Sequence, residues 1–259
     1  MALTYIQKTV HPAPITLHES NGVAYFTFPL LEQTRMVRHA FSTRLGGASK
    51  GYFSTMNFSL TRGDNRDDVL ENYRKMARIL GTDVSKMVLS HQTHTTNIRL
   101  VTEADAGKGI WRERDYENID GLITNEPGLT LVTFFADCVP LYFVDPVHRA
   151  IGLSHSGWKG TVHRMGQKTI GPSICRDCYE VSEDVADAFK EEFGAEISQD
   201  DSTSCYSWNG KSILMNKGNG KYQLDLWGAN RLVLLDAGIL PEHLAVTNVC
   251  TKCNPDLLY

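Results

Sequence analysis

Apolar residues recur at helical spacing in three stretches of the chain. Between Asp67 and Leu80, Val69, Tyr73, Met76 and Leu80 stand at i, i+4, i+7 and i+11; acidic residues open the stretch and Gly81 closes it, which predicts an amphipathic helix. From Ser182 to Phe193, Ser182 is placed to cap the first turn and Glu183 and Asp184 suit the positive end of the helix dipole. Val185, Ala188, Phe189 and Phe193 make its apolar face, and Gly194 is the stop. A third helix is expected over Asp225 to Ala237, with Gly238 at its end and Pro241 beyond. Elsewhere the period changes. Val23 to Phe28, Arg38 to Ser42, Met87 to Ser90 and Asn97 to Val101 read as strands bounded by turn formers. The middle of the chain is richest in them: Gly121 to Ile123, Leu129 to Ala136, Leu141 to Val144 and Ala150 to Ser154, with Glu126-Pro-Gly128, Asp137-Cys-Val-Pro140 and Asp145-Pro146 between. Runs this continuously apolar need cover on both faces. The expected fold is therefore α+β, a mixed α/β sandwich with mixed β-sheets and helices packed on their outer faces, as one domain over residues 1–259.

Composition narrows the function without naming it. The 259 residues carry 26 Lys+Arg against 30 Asp+Glu, a formal charge of -4, with 42% hydrophobic residues. A chain of this length and balance builds a sizeable core, which excludes a disulfide miniprotein, a fibre or a disordered tract. The acidic balance provides no basic surface for nucleic acid. The longest apolar stretch is broken by Asp137 and is too short to span a bilayer, and the first residues show no basic segment followed by an apolar run. A cytoplasmic protein without membrane or nucleic-acid partners is expected, and its six cysteines then read as thiols or metal ligands.

Three short segments place a metal-ligating residue type at the end of an apolar strand: Gln92-Thr-His94, Ala136-Asp-Cys138 and Ser154-His155-Ser-Gly-Trp158. On composition alone Cys138 reads first as a buried thiol, and His94 and His155 as hydrogen-bonded histidines. As metal ligands, His94, Cys138 and His155 would leave a fourth tetrahedral position open, the arrangement of a catalytic zinc. As a metal-free pair, Cys138 and His155 would be nucleophile and base, oriented by Asp137 or Gln92. His91 and His94 would face opposite sides of a straight strand, so they are not expected to share an ion. The remaining histidines, at 11, 18, 39, 148, 163 and 243, are expected to be structural. The Gly-rich segment Ser42-Thr-Arg44-Leu-Gly46-Gly47-Ala-Ser49 reads as a loop or, through Arg44, as an anion cradle, and Lys159 as a solvated lysine or a second cation near His155. Two Cys-x-x-Cys pairs, Cys175/Cys178 and Cys250/Cys253, would form a four-cysteine zinc site only if they converged. Their separation does not predict that, and disulfides or buried thiols stay open; Cys205 has no evident partner.

Taken together, Phe41-Ser-Thr-Arg44-x-Gly46-Gly47-x-Ser49, Gln92-x-His94, Asp120-Gly121, Ala136-Asp-Cys-x-Pro140, His155-Ser-Gly-Trp-Lys-Gly160, Gly171-Pro-Ser-Ile-Cys175, Cys178-Tyr-Glu-Val181 and Cys250-Thr251 resemble the YfiH/YlmD family, the laccase-domain or polyphenol oxidase family. The resemblance implies a purine nucleoside phosphorylase that cleaves adenosine, inosine and S-methyl-5'-thioadenosine with phosphate, with adenosine deamination as a side activity. It also implies a metal, zinc or alternatively copper, on His94, Cys138 and His155. Within that reading Arg44 is the expected phosphate contact and a catalytic residue, Lys159 a second substrate contact and Asp137 an acid/base. The partners are a small nucleoside and phosphate, and the protein is a monomer or homodimer. Copper-dependent phenol oxidation, metal-free amide hydrolysis by Cys138 and His155, and a zinc-stabilised interaction module are the competing readings. The stretch Thr161 to Ile170 is shorter than the family's, and the family pattern continues past the position of Tyr259, so the chain is expected to lack some internal and C-terminal residues of the family.

Overall fold

The computed structural model describes residues 3–7, 15–163, 169–193, 205–208 and 211–258. A six-stranded mixed sheet runs in the order Ala245–Val246, Thr169–Ile170, Val139–Asp145, Ala150–Ser156, Gly121–Thr124, Ile98–Leu100. The outer pair at each end is parallel and the inner pairings are antiparallel. Thr16–Ser20, Val23–Thr27 and Phe41–Ser42 form an antiparallel three-stranded sheet, and Glu180–Ser182, Lys221–Leu224, Lys211–Gly218 and Cys205–Trp208 a four-stranded one. Met87–Leu89 pairs in parallel with Thr130–Val132.

Strand Val139–Asp145 shows why its sequence is apolar without alternation. Val139 and Leu141 join the largest core, with Phe189 and Phe193 of the helix Glu183–Phe193 and Leu226, Leu232 and Val233 of the helix Leu226–Asp236. Tyr142 and Val144 pack in a second core with Phe26, Phe28 and Val249. Successive side chains point to opposite faces, and both faces are covered. The expected mixed α/β arrangement of sheets and helices is what the chain adopts.

The helix Arg66–Leu80 matches its periodicity. Asn65 accepts from the amides of Asp67 and Asp68 as N-cap, and Gly81 ends it at φ 65°. Val69, Tyr73 and Ala77 pack on Met87 and Leu89. Two expected boundaries shift. Ser182 ends a strand, the helix begins at Glu183, and Ala186 joins the buried face, where Ala188 is half-buried against the same core. Only Phe41–Ser42 of Arg38 to Ser42 is strand, because the Phe28 amide donates to His39 Nε2 at 2.7 Å, where a ladder partner would otherwise sit. The larger correction is Leu129 to Ala136, of which only Thr130–Val132 is strand. Its partner strand stops at Leu89, and beyond Val132 the Gln92 side-chain amide takes over: Gln92 Nε2 donates to Phe134 O at 2.6 Å and Phe134 N donates to Gln92 Oε1 at 2.8 Å. Freed from the sheet, residues 133–138 loop towards His94. Gly194, His11 and residues 200–204 lie outside the described residues, while Cys205 opens a strand. Among the described residues no helix is long and apolar enough to cross a membrane.

Asn72, fully buried on the apolar face of Arg66–Leu80, ties the Gly-rich loop to that helix. It accepts from Ala48 N at 2.6 Å and donates to Ser49 Oγ, Thr55 O and Asn57 O at 3.0, 3.3 and 2.7 Å. Asn72→Ala would strand several buried polar groups; the expected loss is about 3 kcal/mol, read by urea unfolding. His39 supplies a pH-dependent term. Burial, opposed by Glu32, lowers its pKa to about 4, and its Nε2 must stay unprotonated to accept from Phe28. A histidine depressed in the folded state contributes fully above its ordinary value near 6.5, and stability drains away as pH falls from there towards 4. Urea midpoints of the wild type should fall over that window, and those of His39→Gln should fall less.

Candidate metal centre

The site is assembled around a carboxylate. Asp120, with 0% exposure, precedes the strand Gly121–Thr124 and is positioned by the hydrogen bond its backbone N–H donates to Asn97 O. Its Oδ1 accepts from His94 N at 3.0 Å and from His155 Nδ1 at 2.9 Å; its Oδ2 accepts from Thr93 N and Thr95 N at 3.0 Å and Thr95 Oγ1 at 2.9 Å. Its carbonyl also receives the His155 amide at 2.8 Å. Burial pushes this acid up, but the amides of Thr93 and Thr95, the imidazole and the hydroxyl outweigh it and hold the pKa below the ordinary value. The Thr93–Thr95 turn thus wraps an ionised carboxylate. It bends enough to put His94 in the left-handed region at φ 65°, a conformation histidine tolerates better than bulkier residues.

On the strand Ala150–Ser156, His155 is 4% exposed and lies beside that carboxylate. Burial lowers its pKa more than Asp120 raises it, so the ring is neutral, with Nδ1–H donated to Asp120 and the Nε2 lone pair left over. A neutral imidazole fixed by a carboxylate behind it is the form a metal binds. His94 Nε2 lies 3.8 Å from Cys138 Sγ, and the rings of His94 and His155 meet edge to face at 4.9 Å. One ligand atom from each of His94, Cys138 and His155 lies within 4.8 Å of the others. Ligands of zinc at tetrahedral angles would put nitrogen and sulfur about 3.5 Å apart. Gly157 closes one side: a Cβ there would stand 2.8 Å from His94 Cδ2 and 3.1 Å from Cys138 Sγ. The donor set and its spacing fit a borderline-soft divalent ion.

The other expected residues are placed as follows. Asp137 is exposed; its Oδ1 accepts from Thr251 Oγ1 and its carbonyl from Ile174 N, each at 3.1 Å. Arg44 is held by its guanidinium, which donates to Ser54 O at 3.3 Å and Pro255 O at 3.2 Å. Lys159 is exposed on the short helix Trp158–Val162, with Nζ 5.5 Å from the Trp158 ring centre. His91 is not in the group; its Nδ1 accepts from Asn118 N. The group that orients His155 is Asp120, on Nδ1, in place of the expected Asp137 or Gln92, whose amide is bonded to Phe134. Burial, then the charges of Asp137 and Asp120, push the Cys138 thiol up to about 11, the opposite of an activated nucleophile. Sequence reasoning missed the role of Asp120, although Asp120-Gly121 is among the family motifs. It also missed Phe135, whose ring lies 5.8 Å from His155 and 6.1 Å from Phe41, forming an aromatic row from His155 towards the Arg44 loop.

Comparison with known proteins bears on the family of the chain. A family model described as multi-copper polyphenol oxidoreductase laccase matches residues 38–259. Purine nucleoside phosphorylase YlmD of Bacillus subtilis (strain 168) is 34% identical over 251 residues, covering 88% of this chain and 84% of that protein. Adenosine deaminase RL5, from an unknown prokaryotic organism, is 31% identical over 233 residues, covering 83% and 84%. The crystal structure of YlmD from Geobacillus stearothermophilus superposes with a TM-score of 0.79 at 31% identity, covering 96% of this chain and 93% of that one. With both the sequence model and the YlmD and YfiH structures matching over most of its length, the chain belongs to the laccase-domain family.

Proposed function

We propose that this protein cleaves the N-glycosidic bond of purine nucleosides with phosphate, at a metal centre held by His94, Cys138 and His155. The carrying observation is the three-ligand cluster with its buried Asp120. Two nitrogens and one sulfur leave a tetrahedral ion one position short of closure. The names of the relatives supply the substrate class: purine nucleoside phosphorylases and one adenosine deaminase. When bound, the ion supplies Lewis acidity, drawing electron density from a substrate atom or acidifying a water, and the second of these suits deamination of adenosine. Zinc is the assignment favoured by mixed nitrogen and thiolate donors in a single-ion group. A multicopper oxidase would need further copper ligands, and the other cysteine or histidine group among the described residues is all-sulfur.

In the phosphorolysis, a phosphate oxygen forms a bond to C1' of the ribose as the C1'–N9 bond breaks. The electron pair leaves with the purine, which takes up a proton, giving ribose 1-phosphate and free base. The chain's own contribution is placement and charge. Arg44 uses its fork on two carbonyls and retains further N–H donors of its five for a phosphate oxygen. The aromatic row of Phe41 and Phe135 offers the flat apolar surface a purine or ribose face would contact. Lys159 adds positive charge on the Trp158 side, and Asp137, beside Cys138, is the nearest acidic group in sequence for moving a proton.

The assay is direct: purified protein with adenosine, with and without phosphate, products separated by chromatography. Adenine and ribose 1-phosphate that require phosphate are expected. Inosine as sole product would replace the reading with deamination, and phenol-dependent oxygen uptake that is lost with copper would replace it with oxidation. His155→Ala and Cys138→Ala should each lose the site metal and at least about 100-fold in kcat/KM, and Arg44→Ala should raise KM for phosphate more than that for nucleoside. Asp120→Asn tests positioning. Its amide would turn an N–H towards the donors of Thr93 and Thr95, so metal affinity, measured by competition with a chelator, should fall about 10- to 100-fold. Unchanged affinity would remove Asp120 from the site.

A further inference from the structure

The two Cys-x-x-Cys pairs, whose meeting the sequence left open, meet. Cys175, Cys178, Cys250 and Cys253 each place a sulfur within 4.8 Å of the other three. Cys178 Sγ and Cys253 Sγ are 3.6 Å apart, and the Cys175 amide donates to Cys250 Sγ at 3.3 Å. Both pairs sit in tight turns: Cys175 precedes the 3-10 turn Arg176–Cys178, and Cys250 to Cys253 turns back before the short helix Pro255–Leu258. A parallel bridge between Ser173 and Cys250 lays the turns side by side. Cys175 and Cys250 are buried and the other two half-buried.

Four thiols around one point call for a reason. With zinc–sulfur bonds of the usual length, the edge of a tetrahedron is about 3.8 Å, close to the separation of Cys178 and Cys253. Two disulfides would pull the sulfurs into two pairs at about 2.05 Å. An all-thiolate donor set selects a soft or borderline ion over magnesium or calcium, and four protein ligands leave no position for substrate. A backbone amide aimed at a sulfur also stabilises its ionised form, and the Cys175 amide is aimed at Cys250 Sγ in this way.

The same turns reach the metal centre. Ile174, next to Cys175, donates its amide to Asp137 O, and Thr251, next to Cys250, donates its hydroxyl to Asp137 Oδ1. Asp137 is the neighbour of the ligand Cys138. Beyond Cys253, Pro255 O receives the Arg44 guanidinium and Leu257 O receives the Arg44 amide at 2.7 Å. We propose that Cys175, Cys178, Cys250 and Cys253 bind a structural zinc ion, separate from the His94–Cys138–His155 centre, that locks the two turns positioning the Cys138 loop and Arg44.

The test counts metal without relying on activity. Protein purified under reducing conditions in zinc-supplemented medium should carry about two zinc ions per chain, one for each group. His94→Ala/His155→Ala should keep one, and Cys178→Ser/Cys253→Ser should lose one, with a lower thermal midpoint. Because the cysteine variant can fail to fold, cadmium-113 NMR of the exchanged wild type decides independently. Two resonances are expected, one at the position of an all-sulfur site that persists in the double histidine variant. A single metal that vanishes in the histidine variant, iron in place of zinc at the cysteines, or cysteines that resist thiol titration under denaturing conditions without reductant would each overturn the proposal.

Discussion

A carboxylate with no solvent exposure is tolerated in a protein only if its oxygens are met by donors, and Asp120 meets five of them. Its place is set by the sheet, where Gly121 pairs with Ile98 on one side and Ser154 on the other. The rim of three strands therefore carries one fixed negative charge. Everything nearby is arranged to satisfy it: the Thr93–Thr95 turn curls its amides inward, which throws His94 into a left-handed backbone, and His155 presents Nδ1. Two histidines distant in sequence are thereby oriented by a single side chain. The arrangement of the two candidate ligands follows from satisfying that buried charge.

The third ligand comes by another route. Cys138 sits on a loop that ought, by its apolar character, to have stayed in a sheet. Gln92 prevents this by offering its amide as a surrogate strand partner to Phe134 for both donor and acceptor. The same tripeptide thus supplies His94 and releases the segment that brings Cys138 to it. A single side chain two residues from one ligand sets the path of the other.

How much of this could be read from the chain depends on the range of the interaction. The helix Arg66–Leu80 and its end at Gly81 follow from local periodicity and were legible, whereas the Asn65 cap emerged only from the structure. The double-sided burial of Val139–Asp145 was legible because it leaves a continuous apolar run. The end of the strand at Val132 was not, because it is decided by Gln92, 42 residues away from Phe134. No local spacing marks His94, Cys138 and His155 as a group: the residues alone read first as a buried thiol and two hydrogen-bonded histidines, and the family resemblance turned that reading towards metal. Asp120 escaped because a lone aspartate before a glycine looks like a turn, and nothing nearby in sequence reveals the donors it will collect. The meeting of Cys175/Cys178 with Cys250/Cys253 escaped for the same reason: it depends on the parallel bridge of Ser173 with Cys250, a tertiary fact.

The two cysteine-bearing groups would behave differently even with the same ion. A divalent ion on one thiolate and two neutral imidazoles keeps net positive charge, with the Asp120 carboxylate set behind His155 rather than on the ion. Such a centre attracts phosphate and can polarise a substrate atom. On four thiolates the same ion sits in a net negative cage, which needs amide donors such as that of Cys175 to be stable in a buried setting and has nothing to offer an anion. On the proposed reading, chemistry belongs at the first group and cohesion at the second. Thr251 and Ile174 join them through Asp137, so any loosening of the cysteine turns reaches Cys138 by two hydrogen bonds and one peptide unit. That is a short path, and under the proposal it is how the closed group would help to place the open one.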